Sequence, residues 1–336
     1  MKSIQNERNS SIELLRIFAI LFIISHHFLV HGMKLWEDIS WSNYILLTLD
    51  SAFYVAVNCF VLISGYYQIR FDWKKLLRIY LLTAIIGGIG YFTHLIIDDA
   101  TLGRSVIYNT VLCISHPPKT WFVQIYVFLF LFSPLINAAL SSLDKGKMKQ
   151  VLCLMTIVCV YIGWFWQDNV NKGGDNLINF IWCYCIGYYL KNYFKIDRFA
   201  KIYYLLIWIL ASCLNTVLSI TIDSYIPRGH NNPLIMIAAI NLFLFFRSFN
   251  FSSKYINIIA GSTLGVYLIH ENTYLSRFLY RSDCVSFYQS NIFNFVLTVV
   301  GLFVICVLID MTIRYLILNP CLTYIFKFKF LKKKDE

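Results

Sequence analysis

Long apolar runs joined by short polar connections constrain this chain more than any other feature. A helix needs about 20 mostly apolar residues to cross the hydrocarbon of a bilayer. Ten runs approach that length, at roughly 11–32, 46–67, 74–97, 121–141, 150–166, 176–193, 201–221, 232–248, 255–275 and 291–318. The fifth and eighth are short, and the last is long enough to tilt or to continue along the interface. Of the 336 residues, 58% are hydrophobic and 14% are charged, which is too little polar surface to cover a water-soluble globule of this size. A disordered chain, a nucleic-acid arm protein and an ordinary soluble enzyme are excluded. The expected fold is all-α, a polytopic membrane protein with about ten transmembrane helices in one bundle. The connections leave no room for a soluble domain, so 1–336 reads as a single integral-membrane domain. The longest connection, near 98–120, holds Asp98, Asp99, His116, Pro117 and Pro118.

The formal net charge of +11 comes from 29 Lys and Arg against 18 Asp and Glu. With the N-terminus in the cytoplasm and the runs alternating, 21 of these cations fall in cytoplasmic segments and seven in outer ones. That three-to-one bias is a strong positive-inside signal, and it places both termini in the cytoplasm of a plasma or inner membrane. The charge is therefore mostly topological, and nucleic acid is not an expected partner. The ten cysteines are scattered, mostly within apolar runs and with no CxxC pair, and read as small buried hydrophobes. No cleavable signal peptide is expected, because the first run carries Glu13, Arg16 and two histidines.

The cation left over lies inside the first span. Ionisable groups within membrane are expensive, and by default they mark function. The span reads Glu13-Leu-Leu-Arg16, then an apolar stretch, then Ser25-His26-His27 and His31-Gly32. Glu13 and Arg16 are spaced i, i+3 and can pair on one face. Arg16 and His27 are eleven residues apart, close to three full turns, so they share a face about 16 Å apart along the axis. Asp310 and Arg314, spaced i, i+4 near the end of the last span, read as an intrahelical pair. His94, His116 and His230 fall near outer loops, and no HExxH or carboxylate–histidine spacing points to a metal.

Taken in order, these motifs resemble the acyltransferase-3 family of integral-membrane acyltransferases, which O-acetylate surface polysaccharides and related glycans. The family opens with an acidic-x-x-Arg motif and an Arg-x10-His spacing, here Glu13, Arg16 and His27, with His26 one residue off. Asn58-Cys-Phe-Val-Leu-Ile-Ser64-Gly65-Tyr66 matches its apolar-Ser-Gly-aromatic end of the second span. Lys75-Leu-Leu-Arg78 matches its basic-x-x-Arg motif, with Lys75 where an Arg is common. Trp121-Phe-Val-Gln124-Ile-Tyr126 matches a Trp-containing fourth span, with Gln124 where many members carry Glu. Ser262-Thr-Leu-Gly265-Val-Tyr267-Leu-Ile-His270-Glu271-Asn272 matches a late Gly-x-Tyr-Leu-x-His motif. The resemblance covers about residues 8–275. The chain ends shortly after the tenth run, so the esterase-like domain that some members carry is not expected.

The resemblance implies acyl transfer from acyl-CoA, with acetyl-CoA as donor, to a hydroxyl of a surface glycan or its lipid-linked precursor. Such a transfer needs a base for the hydroxyl proton, and histidine suits it near neutral pH. His27 is the first choice, with His26 an alternative or an orienting neighbour. Glu13 is too far along the helix to orient His27, so a partner must come from another span, and Asp50, Ser64 and Tyr126 are candidates. The donor phosphates need cations at the inner face. Lys75 and Arg78 project together there, and the resemblance adds Arg16, with Glu13 beside it, to the donor site. Ser64, Tyr66, Trp121, Tyr126, His270 and Glu271 are expected on the acceptor side. The lipid bilayer is a partner, and a homo-oligomer is compatible with everything above. The competing reading is a glycan transporter or flippase that uses the buried Arg and His as substrate or proton sites. A transporter favours repeated halves with interrupted helices, and no repeat is visible.

Overall fold

The apolar runs become helices in a computed structural model, which describes residues 9–97, 108, 120–196, 200–222 and 226–332. The long connection 98–120, the first eight residues and the last four lie almost wholly outside that set, and so do His116 and the cations Arg104 and Lys119. Among the described residues there is no strand. Seven helical stretches are long and apolar enough to span a membrane: Ser10–Gly32, Trp41–Tyr67, Trp73–Ile97, Trp121–Ser141, Lys145–Phe165, Lys201–Ile222 and Ile292–Lys327. The other three expected runs are shorter or broken. They form Leu177–Asn192, Pro233–Arg247, and the pair Lys254–Ala260 and Thr263–His270. The protein is an all-α polytopic membrane protein.

The chain packs as two units, residues 1–71 with 121–260, and residues 72–120 with 261–336. The first unit contains α1 (Ser10–His27), α2 (Tyr44–Phe53), α3 (Ala56–Tyr67), α4 (Trp121–Ser141), α5 (Lys145–Thr156), α6 (Leu177–Asn192), α7 (Lys201–Ile222), α8 (Pro233–Arg247) and α9 (Lys254–Ala260). Helices in lipid gain nothing from hiding apolar surface from one another, so close approach and polar contacts decide which pairs meet. Gly65 of α3 lies against the backbone of Tyr184, and Gly187 of α6 lies against the carbonyl of Leu62. A side chain at either glycine would push these two helices apart. Buried asparagines tie the same region together. Asn58 donates to the His230 carbonyl (2.9 Å), Asn215 donates to Ser51 Oγ (3.0 Å), and Asn232 donates to Asn215 Oδ1 (2.7 Å). Pro134 sits inside α4, where its missing N–H breaks the ladder, and Ser133 Oγ donates to the Phe130 carbonyl one turn back (2.7 Å).

The second unit contains α10 (Trp73–Ile97), α11 (Thr263–His270), α12 (Ser276–Leu279), α13 (Ser282–Gln289), α14 (Ile292–Ile313) and α15 (Asn319–Lys332). Gly265 faces the Asp310 carboxylate, which leaves no space for a side chain there. Asp310 is fully buried and pairs with Arg314 at 2.7 Å, the i, i+4 contact expected from the spacing. Gly90 of α10 leaves space for the Asn272 amide, which donates to the Ile86 carbonyl (3.3 Å). The nine described cysteines are free, and five of them are buried: Cys59, Cys159, Cys183, Cys185 and Cys306.

Candidate active site

Helix α1 begins on a side-chain cap and is clamped from outside. Asn9 Oδ1 accepts from the Ser11 backbone N–H (3.0 Å), the standard way to satisfy a first-turn donor. Ser10 Oγ donates to Asn257 Oδ1 (2.8 Å) and accepts from the Ser253 N–H (2.7 Å), and Ser11 Oγ donates to the Phe249 carbonyl (3.1 Å). Glu13 lies in the first turn, where the helix dipole favours an anion. It is buried and meets Arg16 Nη1 at 3.4 Å, while a third of the Arg16 side chain stays exposed. Tyr66 OH, at the same end of the unit, accepts from Arg247 Nε (3.0 Å).

The other end of α1 carries the histidines. The helix runs unbroken to His27 and then widens into a π turn, Phe28–Gly32. Single π turns in membrane and soluble helices occur frequently at functional sites. The ring of His27 lies 5.5 Å from that of His26 and 5.4 Å from that of His31. Asp50 of α2 reaches His26: its Oδ1 is 2.6 Å from His26 Nδ1. The other oxygen, Oδ2, accepts from Trp36 Nε1 (2.9 Å). Trp36 is presented by a short turn, Leu35–Glu37, that follows Lys34 in left-handed backbone (φ 55°). Tyr54, in the break between α2 and α3, places its ring 5.1 Å from that of His26. With Asp50 Oδ1 as the acceptor of this contact, His26 Nδ1 carries the N–H and Nε2 is the ring nitrogen with a free lone pair. Among the described residues the one hydrogen bond of this ring is the Nδ1 contact to Asp50, and the His26 side chain is 14% exposed.

The connection between α7 and α8 completes this layer. Residues 228–232, Arg-Gly-His-Asn-Asn, are all buried, which is unusual for a loop. Arg228 Nε lies 3.9 Å from Asp50 Oδ2, and its guanidinium sits 4.9 Å over the Trp36 ring. His230 stacks on Tyr54 (4.3 Å, 5° between planes) and on Trp121 (5.6 Å). Its Nε2 lies 3.4 Å from Asp175 Oδ1. Burial pushes the His230 imidazole down to about 3, helped by His26, so it is neutral at physiological pH. Burial of its inner side raises the Asp175 carboxyl to about 6, while 54% of the side chain stays exposed.

The expected site residues are therefore gathered in several groups. Asp50 is brought to His26, and Trp121 joins the same layer through His230. Ser64 Oγ and Tyr126 OH meet at 3.3 Å, and Ser64 also donates to the Phe60 carbonyl (2.9 Å). Glu13 and Arg16 lie at the far end of α1, with Tyr66 near that end of the unit. Lys75 and Arg78 are exposed on α10 in the second unit. In that unit His270 is buried, with Nδ1 2.8 Å from the Val266 carbonyl one turn back, and Glu271 caps the end of α11. Arg228, His230 and Asp175 were not expected in a site. The sequence placed His230 in an outer loop, and the only hint of more was a run of five polar or small residues just ahead of Pro233.

A family model described as an acyltransferase domain matches residues 9–311. The chain belongs to the acyltransferase-3 family. Neither the curated proteins nor the solved structures contain a match to it. The match covers most of the chain, from the cap of α1 to the last turn of α14. The protein is a multi-pass membrane acyltransferase.

Proposed function

We propose that this acyltransferase-3 protein moves an acetyl group from cytoplasmic acetyl-CoA to a hydroxyl of a cell-surface polysaccharide or its lipid-linked precursor, in the plasma or inner membrane. The observation that carries the reading is the His26–Asp50 contact at the end of an unbroken α1 that holds Arg16 at its start. A histidine whose Nδ1–H is held by a carboxylate keeps one tautomer and offers Nε2 as a base, the logic of a base–orienter pair. His26 Nε2 takes the acceptor hydroxyl proton as the oxygen adds to the thioester carbonyl. The tetrahedral adduct then expels the CoA thiolate, which recovers that proton from His26. The acceptor leaves as its acetyl ester and the donor leaves as free CoA thiol.

The spacing motif selects His27, and the carboxylate contact favours His26 one residue earlier. His27 lies on the face that Arg16 shares, about 16 Å along the helix. Arg16, Lys75 and Arg78 are assigned to the anionic donor, with both chain termini in the cytoplasm. A pantetheine arm entering beside Arg16 would run along α1 toward the histidines. Trp121, Tyr126 and Ser64 are assigned to the acceptor side, together with His270 and Glu271.

The test is a purified protein in lipid nanodiscs, fed radiolabelled acetyl-CoA and a panel of neutral hexose and N-acetylhexosamine oligosaccharides. His26→Asn is expected to abolish transfer at normal folding, and His27→Asn to reduce it. If His26→Asn retains full activity and His27→Asn has none, the base is His27 and the role given to the Asp50 contact is wrong. If the wild-type protein moves no acetyl group from acetyl-CoA, the donor assignment falls.

A further inference from the structure

Addition of a hydroxyl to a thioester turns the carbonyl oxygen into an oxyanion. A hydrogen-bond donor already in place for that charge is usually the largest single contribution to such catalysis. Soluble acyltransfer enzymes commonly build it from backbone N–H groups. In a membrane helix bundle most backbone N–H groups are spent on the helices themselves, so a side chain is the readier source of the donor.

Arg228 has the features that role requires. Among the described residues it is the one Lys or Arg that is buried, at 5% exposure. It is held from two sides, by Asp50 Oδ2 at 3.9 Å from Nε and by the Trp36 ring beneath the guanidinium. Its Nη1 is buried and has no hydrogen-bond partner among the described residues. A buried N–H of a charged group is costly to leave unpaired, so this one is surplus to the internal network. His26 sits on Oδ1 of the same carboxylate that Arg228 approaches at Oδ2. One carboxylate thus sets the position of both a base and a cation.

We propose that Arg228 is a catalytic residue whose Nη1–H receives the acyl carbonyl oxygen as negative charge develops on it. The proposal rests on the reading of His26 as proton acceptor. The hydroxyl oxygen bonds to the carbonyl carbon, the carbonyl electron pair moves onto oxygen against Arg228, and the proton goes to His26 Nε2. When the carbonyl reforms, the carbon–sulfur bond breaks and the thiolate takes the proton from His26. Arg228 remains charged throughout and neither gains nor loses a proton. Lysine would keep the charge and lose the planar fork that offers Nη1 as a donor separate from the Nε beside Asp50.

The experiment measures single-turnover release of CoA thiol from acetyl-CoA and from fluoroacetyl-CoA, using full-length protein in nanodiscs with the same oligosaccharide panel. Loss of one such donor is expected to slow the acetyl reaction about 100- to 1000-fold in Arg228→Gln. Fluorine withdraws charge from the carbonyl oxygen, so the loss with fluoroacetyl-CoA is expected to be clearly smaller. Arg228→Lys is expected to recover part of the acetyl rate. Equal losses with the two donors are what a merely distorted site produces, and they overturn the proposal. An acetyl rate in Arg228→Gln near that of wild type overturns it too. Should Arg228→Gln fail to fold, Arg228→Lys compared across the two donors reads the same dependence. Wild-type activity in His26→Asn strikes the base assignment alone, so the two failures are distinguishable.

Discussion

Asp50→Asn is the substitution that bears hardest on the candidate site, because it keeps the shape and removes one acceptor. Asp50 takes two N–H groups, one from His26 at 2.6 Å and one from Trp36 at 2.9 Å. Asparagine has a single acceptor oxygen and an NH2 group. Turned one way it satisfies His26 and sets its NH2 against the indole N–H. Turned the other way it satisfies Trp36 and sets its NH2 against His26 Nδ1, which then favours the tautomer with the proton on Nε2. In either orientation the Arg228 cation loses its counter-charge. A buried hydrogen bond to a charged group contributes about 1.5–3 kcal/mol, which is about one to two decades of rate. Asp50→Asn is therefore expected to lower kcat for acetyl transfer about 10- to 100-fold, with a small change in KM for acetyl-CoA. The assay is steady-state transfer in nanodiscs alongside a thermal melt, so that a folding defect is seen separately. A kcat within threefold of wild type, in protein that melts normally, refutes the orienting role.

Gly65→Leu is expected to force α3 away from the Tyr184 backbone and to destabilise the first unit by about 1–3 kcal/mol, read as a lower Tm; an unchanged Tm counts against the close crossing. Arg78→Ala is expected to weaken acyl-CoA binding by calorimetry without lowering Tm, and unchanged donor affinity removes the basic motif of α10 from the donor site. The pH dependence has a definite sign. His230 has its folded value near 3 against the ordinary 6.5, so the unfolded state binds the extra proton and the His230 contribution rises with pH between about 3 and 6.5. Asp175 has its folded value near 6 against 3.8, so its contribution falls between about 4 and 6 and opposes that of His230. In Asp175→Asn the histidine acts alone, and Tm is expected to rise more steeply from pH 4 to 6 than in wild type. A Tm in Asp175→Asn that is flat across that window contradicts the burial of a neutral His230.

Most of the helical architecture could be read from hydropathy, because lipid demands long apolar runs and leaves few other solutions. The interruptions could not. Ser262 and Gly261 end one short helix and start another inside what reads as a continuous run at 255–275. The break at Tyr54–Val55 has no proline or glycine to announce it. The site was legible along a helix and not across helices. The same-face argument from Arg16 to His27 needs only the pitch of α1, whereas Asp50 meets His26 through a contact between two spans. Spacing rules could name Asp50 as one candidate among three and could not choose its histidine. Arg228 and His230 were hidden for a different reason. Polar residues between apolar runs normally face water, and only packing reveals that this connection turns inward. The π turn after His27 leaves no composition signal, since Phe-Leu-Val-His-Gly suits an ordinary helix as well.

The clamp at the start of α1 has a consequence for synthesis. Ser10 is bonded to residues as far as 247 positions later in the chain. At about 5–20 residues per second, those partners emerge about 12–50 s after Ser10 itself. The helix that carries Arg16, His26 and His27 is made well before the partners that anchor it. Until then its capped end, with a buried glutamate and two serines, has only lipid headgroups, water or the insertion machinery to satisfy it. A chain truncated before residue 249 would leave that end permanently unmatched, a clear mark for proteolytic quality control.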